Sequence, residues 1–210
     1  MRKDHKFSKS EAIKFGWGIV KRELRFFFGL AVVLILVNFI LNVLAKDAKN
    51  LFFLFSFAFS ILVFLVGLIL QLGLIKISLN FVDNKKSQII DLFTTHRPVF
   101  KFFAASILYG IVVFTGIILL IVPGIIWAIK FQFFSFLIVD KEIGPMEALK
   151  KSSQITTGAK WNLFVFGITL IWINILGALL LGIGLLITIP MTMVAQAYVY
   201  RKLLSQAPAR

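Results

Sequence analysis

The chain has 210 residues, 60% of them hydrophobic and 15% charged, with a mean hydropathy of +0.96; a soluble core of that length could not hide so much apolar surface. It carries 23 Lys and Arg against nine acids, a formal net charge of +14, and no cysteine, which excludes disulfides, thiolate metal sites and cysteine nucleophiles. In a soluble protein such a charge would point to nucleic acid, but its distribution along this chain points to a membrane.

Residues 1–25 hold eight Lys or Arg against three acids. Ser8 and Glu11 have the spacing of a capping box, and Ile13, Trp17, Val20 and Leu24 make one apolar stripe opposite Lys14, Lys21 and Arg25. Such a helix is expected to rest on lipid, with Lys14, Trp17, Lys21, Arg22 and Arg25 at anionic headgroups. Phe26–Ala45 then runs 20 residues without a charge, enough to cross a bilayer as a helix. Val43-Leu44-Ala45 resembles a cleavage site, but the 25 residues before the apolar run and the 20 within it exceed a cleavable signal, so a retained helix is expected.

The second helix is expected from Leu51 to Val82, charge-free as far as Ile75. Residues 76–101 hold five basic residues against two acids, with a short amphipathic stretch from Ser87 to Phe93. A third helix covers Phe102 to Val122, and Pro123-Gly124 reads as a tight turn into a fourth, Ile125 to Val139. In residues 140–160, Gly144-Pro145 opens a helix with Glu147 in its first turn, and Gly158 closes it. Trp161–Tyr200 is 40 residues without a charge, too long for one crossing, and divides near Gly182-Ile183-Gly184 into helices five and six.

The expected fold is all-α: a polytopic membrane bundle of six transmembrane helices in three hairpins, each preceded by a cytoplasmic amphipathic segment. Residues 1–25 form the basic segment, 26–204 the transmembrane domain and 205–210 a short tail. Twenty of the 23 basic residues fall in alternate connections, a positive-inside pattern that places both termini in the cytoplasm of a bacterial inner membrane. A weak internal repeat accompanies it. Glu11-Ala12-Ile13-Lys14 echoes Glu147-Ala148-Leu149-Lys150, and helices two and four finish alike, in Phe81-Val82-Asp83 and Ile138-Val139-Asp140.

No catalytic, metal-ligating or cofactor-binding set emerges. His5 and His96 are the only histidines and lack a carboxylate or histidine partner at i, i+4; the acids are scattered, and no nucleophile elbow or phosphate loop is present. Lys130 lies about six residues into helix four, roughly 9 Å along its axis, and Asp140 is about 15 Å further on, too far to pair with it directly. With Gln132, Asn174 and Gln196 it forms a candidate intramembrane polar path, to which Asn38, Asn42, Gln71, Thr188 and Thr192 could contribute. Interhelical hydrogen bonding is the plainer reading of the amides and hydroxyls, and snorkelling to the outer interface that of Lys130.

From Leu119 onward a family resemblance enters. Leu120-Ile121-Val122-Pro123-Gly124-Ile125-Ile126-Trp127 is followed by Phe136-Leu137-Ile138-Val139-Asp140, Gly144-Pro145, Ala148-Leu149-Lys150-Lys151-Ser152 and Thr156-Thr157-Gly158. Trp161, Gly182-Ile183-Gly184, Thr188-Ile189-Pro190 and Tyr200-Arg201 complete the pattern. It resembles the integral-membrane domain that precedes glycerophosphodiester phosphodiesterase in some bacteria, and related small bacterial membrane proteins. The resemblance implies the membrane fold. The phosphodiesterase activity belongs to a separate barrel of about 250 residues, so none is expected of this chain. The expected role is a non-enzymatic module that engages membrane lipid, through anionic headgroups, or a membrane-protein partner or second copy of itself. The alternative is a small transporter or lipid translocator with its polar path near Lys130.

Overall fold

Every secondary-structure element described in the computed structural model is a helix, over residues 7–48, 53–95, 97–180 and 182–207. His5, His96 and the last three residues of the tail lie outside the described residues. The first helix, α1 (Lys9–Arg22), opens as its capping box predicts, with Ser8 Oγ accepting the Glu11 N–H at 3.3 Å. It breaks at Glu23, and α2 (Leu24–Ala48) resumes at once. Then come α3 (Phe53–Val82), the single turn α4 (Asp91–Thr94), α5 (Val99–Leu119), α6 (Ile121–Phe131) and α7 (Phe134–Lys141). The last three are α8 (Pro145–Ile155), α9 (Lys160–Leu179) and α10 (Leu185–Gln206).

Five stretches are long and apolar enough to cross a membrane: Leu24–Leu44, Ser56–Val82, Val99–Leu119, Ile121–Lys141 and Lys160–Leu179. Helix α10 is as long but less apolar, and it stands at the centre of the packing. Its Met191 and Val194 belong to one core with Ile19, Val20, Phe27, Leu70 and Ile77, and its Ala195, Val199 and Leu203 to a second with Leu72, Phe102, Leu137 and Leu163. A helix surrounded by protein has little lipid to face, so it can carry polar residues at low cost. The other long helices are buried towards α10's basic end and present Ile35, Phe39, Phe57, Ile111, Phe114, Ile171 and Leu176 outward.

Three expectations need correction. The chain passes from α5 to α6 at Leu120, in extended backbone (φ −163°, ψ 140°), and not at Pro123-Gly124. Pro123 sits instead in the first turn of α6, where backbone N–H groups have no intrahelical partner and a missing one costs nothing. Gly124 serves contact: a Cβ built on Gly116 would lie 2.9 Å from the Gly124 Cα, so only paired glycines allow the two helices this close.

The expected fourth helix is two helices, interrupted at Gln132-Phe133. The apolar stripe of α1 does not rest on lipid as a unit either. Val20 is 1% exposed and Ile13 packs against the core, leaving Trp17 and Leu24 outside. The buried face is Ala12, Gly16, Ile19 and Val20. A Cβ on Gly16 would come within 2.5 Å of the Met191 carbonyl oxygen, so α1 seats backbone to backbone on α10. Small residues, and not the largest apolar ones, select the docking face.

Candidate functional site

The interruption between α6 and α7 leaves backbone groups that no helix satisfies, and α8 supplies their partners. As its Gly144-Pro145 start predicts, α8 begins at Pro145; Gly158 follows its end with φ +86°. Its Ser152 Oγ donates to the Lys130 carbonyl at 3.1 Å and accepts the Phe133 N–H at 3.1 Å, while Thr156 Oγ1 reaches the same carbonyl at 3.0 Å. Both hydroxyl residues are fully buried. Non-helical backbone survives among apolar helices only where such partners exist.

Beside the interruption, α5, α6 and α8 enclose a groove of about 420 Å³. Leu108, Val112, Phe131 and Leu149 form its apolar walls, and Lys130, Lys150 and Ser153 its polar edge. The Lys130 ammonium lies 5.1 Å from the Phe131 ring centroid and has no carboxylate within salt-bridge distance among the described residues. A lysine among apolar helices costs about 2.5–3.5 kcal/mol on insertion scales unless water or a counter-charge reaches it. The Tyr109 hydroxyl donates to the Ala128 carbonyl at 3.4 Å, pairing the middle of α5 with the turn that carries Lys130. Lys130 thus borders the groove together with Leu149, Lys150 and Ser153 of α8.

Asp140 in α7 and Asp83 just beyond α3 both bind Arg201 of α10. The guanidinium donates through Nε and Nη2 to Asp83 at 2.8 and 2.7 Å, and through Nη1 and Nη2 to Asp140 at 2.8 and 2.7 Å. The Tyr200 hydroxyl adds a bond to Asp140 at 3.0 Å, its ring packed on Phe136 with centroids 5.4 Å apart. Lys141 stands 3.3 Å from Asp140, and Lys85 3.9 Å from Asp83. Bidentate pairing of one planar fork with two carboxylates fixes three elements in register.

Of the expected polar path, only Lys130 borders the groove. Gln132 donates to the Ile129 carbonyl at 3.1 Å, Asn174 to Leu170 O at 3.1 Å and Thr192 Oγ1 at 3.3 Å, and Gln196 is exposed. Asn38 and Asn42 bond carbonyls of their own helix, at 2.8 Å each. Lys14, Trp17, Lys21 and Arg22 of α1 are exposed, as is Arg25 in the first turn of α2. Arg22 pairs with Glu23 at 3.3 Å; Glu11 accepts the Tyr198 hydroxyl, a second tie from α1 to α10. Residue-by-residue reading missed Arg201, Asp83, Asp140, Tyr200, Ser152 and Thr156. The matching Val-Asp ends of α3 and α7 were the available signal for Asp83 and Asp140.

Long apolar helices gathered round a central helix and tied by a shared arginine define a multi-pass helical membrane protein. Residues 101–207 match the family described as "Protein of unknown function (DUF975)", and the chain belongs to that family. It is 30% identical over 148 residues to the uncharacterized protein Rv2560 of Mycobacterium tuberculosis, a match covering 68% of this chain and 44% of the relative. It is 29% identical over 148 residues to the uncharacterized protein Mb2590 of Mycobacterium bovis, with the same coverage. The chain thus spans less than half the length of the curated relatives it matches. No solved structure matches it. Nothing in these matches ties it to the phosphodiesterase-associated membrane domain in particular.

Proposed function

We propose that the chain is a non-enzymatic module of the bacterial inner membrane that gathers anionic lipid at its cytoplasmic face through α1. The observation that carries this reading is the seating of α1. With Ala12, Gly16, Ile19 and Val20 held against the bundle, Lys14, Lys21 and Arg25 project outward beside Trp17, and none has an acidic partner among the described residues. Each Lys or Arg near an anionic surface contributes about 1 kcal/mol of attraction. The helix is already folded and docked, so lipid binding need not order it.

In this reading the chain crosses the membrane six times as three hairpins, with both ends cytoplasmic. Antiparallel packing of α9 on α10 supports the sixth crossing: Gly177 lies against Gly184 and Thr188, and Asn174 against Thr192. The resemblance to the membrane domain found ahead of phosphodiesterases of glycerophosphodiesters fits a lipid setting. A small transporter or lipid translocator is the second reading, favoured by the interrupted helix beside Lys130; it comes second because Gln132, Asn174 and Gln196 do not share the groove.

The test is local lipid enrichment. In nanodiscs, a variant with Trp127, Trp161 and Trp172 changed to Phe keeps Trp17 as its single tryptophan. Brominated phosphatidylglycerol should quench Trp17 more than brominated phosphatidylcholine at equal mole fraction. The difference should vanish in 1 M salt, where the Debye length is about 3 Å, and in K14Q/K21Q/R25Q. Equal quenching by the two lipids would overturn the reading.

A further inference from the structure

We infer that the groove between α5, α6 and α8 is a binding site for one phosphate-bearing lipid, with Lys130 and Lys150 holding the phosphate. The site is independent of the α1 surface. Lys130, Lys150 and Ser153 line it together with the aliphatic Leu108, Val112 and Leu149. Neither lysine has a carboxylate in reach among the described residues, and Asp140, the acid nearest Lys130 in its own segment, is held by Arg201, Tyr200 and Lys141. No described acid neutralises the half-buried Lys130, and an anionic headgroup would.

Shape and surroundings select an amphiphile over a free anion. The apolar wall continues outward along α5 and α6 into Ile107, Ile111, Ile125 and Ile126, all exposed, so a chain lying in the groove passes directly onto lipid-facing surface. The polar edge continues the other way, onto the exposed face of α8. About 420 Å³ lies at the small end of the range for small-molecule pockets, about 300–1,000 Å³, and suits a headgroup with the start of one chain. Because Ser152 and Thr156 bind the Lys130 carbonyl, the segment bearing Lys130 is held in place whether or not lipid is bound.

Native mass spectrometry of the full chain, delipidated in neutral detergent and titrated with phosphatidylglycerol or phosphatidylcholine, tests this. One phosphatidylglycerol should bind ahead of the rest. K130Q/K150Q should weaken that first site by about 25-fold, since one charge near a headgroup is worth roughly a factor of five. Lys150→Gln alone, on the exposed face of α8, should cost about fivefold without endangering the fold, and Lys130→Arg should retain binding. The variant K14Q/K21Q/R25Q should keep the first site, so that loss of α1 binding and loss of groove binding are told apart. An unchanged first site in K130Q/K150Q would overturn the proposal. Displacement of the lipid by millimolar inorganic phosphate or glycerol phosphate would overturn it too, as the mark of a site for soluble phosphate.

Discussion

Replacing Arg201 with Met keeps most of the side chain's volume and removes the one cation that two carboxylates share. Asp83 Oδ2 and Asp140 Oδ1 each lie 2.7 Å from the same nitrogen, so the two oxygens are at most twice that distance, 5.4 Å, apart. At an effective dielectric of about 20, two like charges at that separation repel by about 3 kcal/mol. Breaking a buried pair costs about 3–5 kcal/mol. The three side chains keep 24%, 23% and 11% of their exposure, and solvent reduces the penalty, so a loss of about 3 kcal/mol is expected. The assay is unfolding by SDS in mixed micelles, followed by tryptophan fluorescence and helical circular dichroism. The sharper test is a change of sign. Asp140→Asn should destabilise the parent, where it removes a partner of Arg201, and stabilise Arg201→Met, where it removes the repulsion. If Arg201→Met falls within 1 kcal/mol of the parent, or Asp140→Asn costs stability in both backgrounds, the shared-arginine account is wrong.

Gly16→Ala should lower stability by about 1–3 kcal/mol, because its methyl meets the Met191 carbonyl and Ala195, whereas Gly18→Ala, with nothing within 4 Å, should gain up to about 1 kcal/mol of helix propensity; the same SDS titration compares them. Ser152→Ala leaves the Phe133 N–H without its partner and should cost about 2 kcal/mol, while Thr156→Val, which leaves Ser152 on the Lys130 carbonyl, should cost about half as much. Equal effects of the two would show that the interruption is not held by Ser152. Topology reporters near Asn84, near Ser153 and after Arg210 should read cytoplasm, and those near Asp47 and after Pro123 the outside. An outside signal after Arg210 would leave five crossings.

The long helices were legible because charge-free runs of bilayer length leave the chain little else to do. What escaped was decided by residues far apart in sequence. Phe131-Gln132-Phe133 contains no helix breaker, and the interruption there exists because hydroxyls about 20 residues on can serve its backbone. Pro123 misled because proline marks both a turn and the first turn of a helix. The stripe on α1 misled because its large apolar residues were expected to face lipid, whereas Val20 and Ile13 turn inward beside Ala12 and Gly16, whose size allows a close backbone contact. The Arg201 site was half visible: Asp83 and Asp140 stood out as matching helix ends, but the sequence carries no sign that an arginine 118 and 61 residues away lies between them.

The seat of α1 on α10 also sets a timetable for biogenesis. Glu11 and Tyr198 are 187 residues apart, so α1 leaves the ribosome long before its seat exists. At about 5–20 residues per second the wait is about 10–40 s. Until α10 arrives the face bearing Ala12 and Gly16 is uncovered, the two cores lack the helix they share, and Asp83 and Asp140, once made, lack Arg201. A ribosome stalled before α10 would therefore leave in the bilayer a chain with misplaced negative charge and open helix faces. Membrane quality-control proteases could recognise those features without reading any sequence tag, and arrival of the least apolar long helix would end the chain's exposure to them.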